Sequence, residues 1–564
     1  MTTDDPSAPP SHGAPAGTVD PTAPGRERSG DIIGALGTIP LTETGRTPSR
    51  RKRLRMLLAV LGPGLIVMGG GNDAGGVQVY LQMGQDYGMG LLWVLVLLFP
   101  ILYVNQEMVI RLGAVSGVGH ARLIFARFGR FWGTFSVVDL LIINAATVMA
   151  DFLGLSLALG YFGIPDYIAV PASVVLLTLA IAGGTFRIWE RFMVVLVLVN
   201  LAALPMAFLV HPSAATTAAG FVPNLPGGVN SALLLIIIAI VGTTVEPWQL
   251  FFQQSSIVDK RITPRWIRYA RIDLTAGILI ELAAALALLA ATAFGLAHTD
   301  AFGHFDTIAS TAHALDRHIG HGIGALVALA TLDGSLIGAN LVGLTTSYTL
   351  GDIFPGMRHS LHAKPRQAPL FYGSYAVLLA GCAALVLTAG DAMGTFIDYV
   401  EALNGVLLPS AVVFLLLLAN DKAVLGPWVN TARQNTMAGV IVWAVTTFSL
   451  APVVTTFYPD ITTHQILLGI GVCAGLGLLT ATVLWWRRPR PRRSADRRPT
   501  RLEKRQRREQ LAESRAAWRT PPLDTLRRPA MSPGRRAGLL TLRGYLAFSV
   551  AVLVIRLVQL ITGG

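Results

Sequence analysis

Gly69-Gly70-Gly71-Asn72-Asp73-Ala74-Gly75-Gly76 lies inside an apolar run long enough to cross a bilayer, although glycine is among the poorest helix formers. A second break, Thr243-Thr244-Val245-Glu246-Pro247-Trp248-Gln249, interrupts another such run. Each break carries a carboxylate, Asp73 or Glu246. An acid in mid-membrane is costly unless it faces a cavity, a partner or a bound cation. Unwound backbone at that depth also frees carbonyls that need partners. Corresponding interruptions in the two halves of a chain are the pattern of a transporter's ion site. The residues therefore point to a membrane protein that handles a cation.

Composition agrees. The 564 residues are 52% hydrophobic and 14% charged, with a mean hydropathy of +0.56, and many runs reach the roughly 20 residues that span a bilayer. The net charge is +13. Its Lys and Arg gather at the ends of apolar runs and in the C-terminal segment, which is the positive-inside distribution and not a nucleic-acid face. Cys382 and Cys473 both lie in apolar runs, so neither a disulfide framework nor a thiolate site is indicated. No His-Glu-x-x-His or Gly-x-Ser-x-Gly stretch argues for an enzyme.

Apolar runs at 56–82, 89–112, 132–160, 167–184, 190–210, 230–257, 274–297, 322–350, 371–389, 396–419, 436–457 and 464–486 predict twelve spans. Basic residues alternate with this count. One set of loops carries Arg122, Arg127, Arg187, Arg191, Lys260, Arg261, Arg358, Lys364, Lys422 and Arg433, whereas the opposite set has essentially Arg317 alone. With Arg50-Arg51-Lys52-Arg53-Leu54-Arg55 before the first span, the expectation is a multi-pass cell-membrane protein with a cytoplasmic N-terminus. Residues 1–50 are expected to be a disordered cytoplasmic segment, since 1–45 lack an apolar core. Residues 51–486 form the transmembrane domain, and 487–543 a basic cytoplasmic segment lying near anionic lipid, with a helix-like piece over 501–519. The apolar stretch 544–564 is an extra span or an interfacial helix. The breaks fall in spans 1 and 6, the offset expected of inverted five-span repeats.

The run Gly62-Pro63 … Asp73-Ala74-Gly75-Gly76 … Gln82-Met83-Gly84 … Tyr87-Gly88, then Leu91-Leu92-Trp93, resembles the first span of the Nramp divalent-metal transporters. Gly242-Thr243-Thr244-Val245-Glu246-Pro247 … Ser255-Ser256 resembles that family's sixth span, with one extra residue after Pro247. Ala150-Asp151-Phe152-Leu153-Gly154, Leu408-Pro409 and Asn420-Asp421-Lys422 also match, so the resemblance covers roughly residues 56–486. It implies an all-α integral membrane protein of the LeuT-type inverted-repeat fold, with discontinuous spans 1 and 6, that transports a divalent cation.

The departures from the family are informative. Its first-span motif, Asp-Pro-Gly-Asn, supplies an Asp and an Asn to the metal; Asp73 remains here, but the Asn position is Gly76. Its sixth-span motif, Met-Pro-His-Asn, supplies a thioether; that position is Glu246, and Trp248 and Gln249 replace His and Asn. Thioethers suit soft ions, while carboxylates, carbonyls and water suit Mg2+, Ca2+ and Mn2+. The space at Gly76 suits an ion that keeps several waters, as Mg2+ does. The pattern is similar to the Nramp-related magnesium transporter branch. The expected ligand set is Asp73, Glu246, the carbonyls around Gly70 and Thr243, and Gln249 or water. Glu401 of span 10 joins this set if Leu408-Pro409 sets the register, and otherwise faces a mouth of the pathway.

The family's proton-relay candidates are also altered. The first span 3 acid falls on Val148, leaving Asp151, and the span 6 His falls on Gln253 or Gln254. Neither Val nor Gln titrates near neutrality, so proton coupling is expected to be weak or absent. Asp333 lines the pathway or ends a loop, and Trp248 either gates the substrate or fills the space left by Gly75 and Gly76. A loop near 298–321 holds His298, His304, His313, His318 and His321 at irregular spacing, without a zinc pattern. The expected cargo is a hard divalent cation, Mg2+ first and Mn2+ second, with no resident cofactor. The alternatives are a proton-coupled Mn2+/Fe2+ transporter and an amino-acid transporter of the same fold; acids at both breaks weigh against the latter.

Overall fold

The computed structural model describes residues 30–40, 49–183, 185–228, 230–320, 322–389, 396–457, 462–486, 501–527 and 544. Apart from one short hairpin the architecture is helical. A helix or helix pair stands at each of the twelve expected spans. Eight helices among the described residues are long and apolar enough to cross a membrane, or nine if one bent pair counts as a span. One of them, Ala74–Ser116, has 43 residues and would be about 65 Å long if straight, twice the hydrocarbon thickness. It turns at Gly88–Leu91, where Gly88 has a φ of 58°, and so contributes to spans 1 and 2. Spans 4, 11 and 12 correspond to Asp166–Ala182, Ala432–Phe457 and Thr463–Trp486.

Both expected breaks are present. Span 1 opens with Arg50–Val60, bends by 49° into Pro63–Asn72, and resumes as Ala74–Tyr87 after an extended Asp73. Pro63 suits the first turn of its helix, where no backbone donor is needed. Span 6 is divided into Ser231–Thr244 and Pro247–Asp259 by extended Val245 and Glu246. Proline at 247 cannot continue the preceding helix but starts the next one well. Span 7, Ile267–Gly295, packs along both halves of span 1, and span 8, Ile323–Ile353, packs along span 3, Arg130–Tyr161. The LeuT-type arrangement expected from the sequence places the two breaks side by side at the centre of the bundle.

Two terminal segments differ from expectation. Residues 31–39 are not disordered: Ile32–Gly34 pairs antiparallel with Gly37–Ile39. The hairpin lies on Arg50–Val60 with Ala35 fully buried. Its ladder is too short to hold by itself. Tertiary contacts anchor it: the Ala35 N–H donates to Glu190 Oε2 at 2.5 Å and Arg191 Nε donates to the Ala35 carbonyl at 2.8 Å. Residues 1–29 and 41–48 lie outside the described residues. In the basic segment, helix Arg501–Ala517 continues into a stretch docked on protein. Trp518 Nε1 donates to the Val424 carbonyl at 3.1 Å, Arg515 stacks on Trp428, and Arg127 donates to the Arg527 carbonyl at 2.8 Å. Protein contacts thus hold 515–527, where a lipid-facing tail was expected. Residues 545–564 lie outside the described residues.

Candidate ion site at the two broken spans

The break in span 1 arises from Asp73 acting as a helix cap. Its Oδ1 accepts the Gly76 N–H at 2.9 Å, starting the second half-helix. Span 6 supplies Glu246, which is fully buried; its Oε1 accepts Asn404 Nδ2 at 3.0 Å and its Oε2 has no hydrogen-bond partner. The first halves of both spans end at these acids. Their C-terminal carbonyl ends, each with partial negative charge, therefore add to the carboxylates. Such a convergence favours a cation and disfavours a carboxylate-bearing substrate.

Glu401 lies deep in the bundle, 1% exposed, and not at a mouth. The Asn404 and Thr243 side chains stand next to its carboxylate. A Cβ at Gly75 would overlap the Glu401 carboxylate, and one at Gly76 would stand 2.5 Å from the Gly71 carbonyl and 3.5 Å from Thr243 Oγ1. The two glycines thus do more than omit a ligand. They let a span 10 acid reach the backbone of span 1. Trp248 consequently does not fill the space at Gly75 and Gly76; its ring lies over Gly70 instead.

The other expected residues are distributed around this centre. Thr243 is fully buried at the end of the first half of span 6. Gln249 is turned back on the protein: its Nε2 donates to the Thr244 carbonyl at 3.2 Å, and its Oε1 receives Gln106 at 3.5 Å. This satisfies a carbonyl freed by the break. Asp151 is buried, with Oδ1 3.4 Å from the Ala74 N–H. Asp333 lies within span 8, away from its ends, and accepts Asn200 Nδ2 at 2.9 Å; Asn200 in turn accepts Asn72 Nδ2 at 3.1 Å. Gln253 is buried with neither amide atom bonded, while Gln254 Oε1 accepts from His120 Nδ1 at 2.7 Å. In the loop between spans 7 and 8, His318 approaches Asp300 at 3.4 Å and His313 stacks on Tyr161; His321 lies outside the described residues.

Several residues of the site escaped the sequence reading. Asn404 is one turn beyond Glu401 on the same helix face, a spacing that was available as a signal. Tyr80 joins the halves through a 2.8 Å contact with Thr244 Oγ1. Glu281, buried in the middle of span 7, has two unpartnered oxygens. It sits in an apolar run whose nearby Gly277 reads only as a helix-packing position, with no helix break to mark it.

Polar contacts flank the site on both sides. On one side Gln78 donates to Asp398. On the side of the basic loops, Asp273 accepts the Gly62, Gly64 and Leu65 N–H groups at 3.0, 2.7 and 3.2 Å. There Lys260 also pairs with Glu190 at 2.5 Å, both side chains being buried. Among the described residues, no three His, Cys, Asp or Glu side chains are gathered closely enough to hold a metal. The acids are strung along the breaks, so carbonyls and water must complete any cation's shell.

A multi-pass helical bundle whose two broken spans bring buried carboxylates together without a basic partner is a membrane transporter and not an enzyme. The family is then plain from comparison: the model described as "Natural resistance-associated macrophage protein-like" matches residues 64–455, and the chain belongs to the Nramp family. The "Divalent metal cation transporter MntH" of Listeria monocytogenes is 27% identical over 71% of this chain and 90% of its own length. The protein of the same name from Xanthomonas campestris is 29% identical over 70% of this chain and 90% of its own. Among solved structures, a manganese transporter from Eremococcus coleocola bound to an aromatic bis-isothiourea compound superposes with a TM-score of 0.58 at 20% identity. That match covers 79% of this chain and 98% of that one, and it supports the fold.

Proposed function

We propose that this Nramp-family divalent metal cation transporter takes up a hard, partly hydrated ion, Mg2+ first and Mn2+ second, across the cell membrane by alternating access. The carrying observation is Glu246: a buried carboxylate, with one oxygen unpartnered, at the position where the family motif has a thioether. Asp73, Glu246 and Glu401 supply charge, carbonyls around Gly70 and Thr243 supply neutral oxygens, and water fills the remainder. Such a set selects for hard cations, and Mg2+ is bound with several waters retained. The basic face is cytoplasmic in this reading, so contacts such as Lys260–Glu190 form the inner gate. Asp151, Gln253 and Asp333 border the route and Trp248 covers it at Gly70.

A second reading, a proton-coupled Mn2+ transporter, draws on the names of the relatives and of the solved neighbour. Titration of the purified protein with Mg2+, Mn2+ and Ca2+, beside uptake into proteoliposomes, separates the two. Asp73→Asn is expected to abolish uptake. Glu246→Met is expected to move preference at least tenfold toward Mn2+ or Cd2+. Unchanged selectivity in Glu246→Met would remove Glu246 from the ligand set.

A further inference from the structure

We propose that Glu281 of span 7 is a second carboxylate station for the transported divalent cation, on the opposite side of Asp73 from Glu246 and Glu401. This rests on the reading of Asp73 as a cation ligand. Glu281 is fully buried and both of its carboxylate oxygens lack a hydrogen-bond partner. The cost of burying an ionised carboxylate uncompensated is several kcal/mol even after relaxation. The group therefore carries a proton or meets a cation.

Its placement favours a cation. A Cβ on Gly71 would overlap the Glu281 carboxylate, and Gln249 Nε2 lies 3.4 Å from the same point. The acid thus projects into the break of span 1, two residues before Asp73. Glu401 enters the break at Gly75, two residues after it. The charged neighbour of Glu281 is Asp73, whereas Glu246 has Asp73, Glu401 and Asp151 around it. Asp73 is common to both groups. With no three acids gathered into one cage among the described residues, an ion held by Asp73 can pass from the Glu246–Glu401 side to the Glu281 side without losing carboxylate contact.

Glu281 is also tied to the break through its backbone. Asn72 Nδ2 donates to its backbone carbonyl at 3.3 Å, so the unwound turn of span 1 is tied to span 7 at this residue. Gly71 precedes Asp73 and Gln249 lies on the second half of span 6, both toward the basic face. Glu281 is therefore the station nearer the inner exit. Gly71 is required there because the carboxylate occupies the position of its missing side chain.

The test is calorimetric titration of purified full-length protein with MnCl2 and MgCl2, with proteoliposome uptake alongside. Glu246→Gln/Glu401→Gln is expected to retain a single, at least tenfold weaker, binding event. Adding Glu281→Gln should remove that event, and adding Glu281→Asp, which keeps the charge, should not. In the otherwise unchanged protein, Glu281→Gln should leave first-ion affinity within threefold but slow uptake at least tenfold. Glutamine mimics a protonated glutamate, so full uptake in Glu281→Gln would overturn the proposal and assign Glu281 a resident proton. Loss of all binding in Glu246→Gln/Glu401→Gln would overturn it as well. Wild-type protein that binds neither ion would instead remove the cation-site reading on which it rests.

Discussion

Gly75 and Gly76 show how a residue can shape a site by what it lacks. In sequence, Gly76 reads as a lost amide ligand. In three dimensions the pair allows Glu401 and the Gly71 carbonyl to close on span 1. Gly75→Ala is therefore expected to lower divalent-cation uptake by at least tenfold with normal membrane insertion. Gly373→Ala, at a helical glycine with nothing near its missing Cβ, should leave uptake unchanged and stabilise by up to about 1 kcal/mol. Uptake assays and thermal unfolding of both variants check this.

His120, in the helix that links spans 2 and 3, is a second residue-scale case. Burial against Phe251 pushes its pKa down to about 4, opposed by Gln254 and Asp352. The folded value lies below the unfolded one, so His120 is neutral when folded and its stability contribution is complete above about pH 6.5. That contribution is lost as pH falls through 4, and amounts to about 3 kcal/mol. Melting temperatures at pH 7 and pH 4.5 should therefore fall less in His120→Gln than in the wild type.

At the scale of elements, the half-helices were legible because their causes are local. Glycine and proline break helices wherever they occur, and Asp73 caps the second half of span 1. The N-terminal hairpin was not legible, since residues 32–39 fold only against Ala59, Glu190 and Arg191. The hairpin covers the N-terminal end of span 1. In a background without Cys382 and Cys473, cysteine placed at Ala59 is expected to be protected from thiol reagents in the full chain. It should label at least tenfold faster once residues 2–40 are deleted. Equal rates would show that the hairpin does not cover this helix.

At the scale of the whole molecule, the site's charge sets the energetics of transport. A divalent ion crossing 100 mV gains about 4.6 kcal/mol, twice the single-charge figure, so in the proposed reading an inside-negative potential suffices to drive entry. The resemblance puts Val148, and Gln253 or Gln254, where the family's relay would have titrating groups, and His120 is held neutral above its depressed pKa. Proteoliposomes loaded with a pH dye should accumulate Mg2+ or Mn2+ in proportion to an imposed potassium-diffusion potential, with no matching acidification. One proton entering per cation would restore the coupled reading.

The order of the twelve spans, the two breaks and the acids within them came from sequence alone, because bilayer thickness, helix-breaking residues and the cost of charge in lipid act locally along the chain. Span 10 and span 7 tell a different story. Glu401 was placed only conditionally and Glu281 not at all, since an acid in an apolar helix does not state which neighbour it faces. Only the packing of span 10 against Gly75 and of span 7 against Gly71 decided that both acids enter the same break, because helix rotation and contact are set by partners distant in sequence.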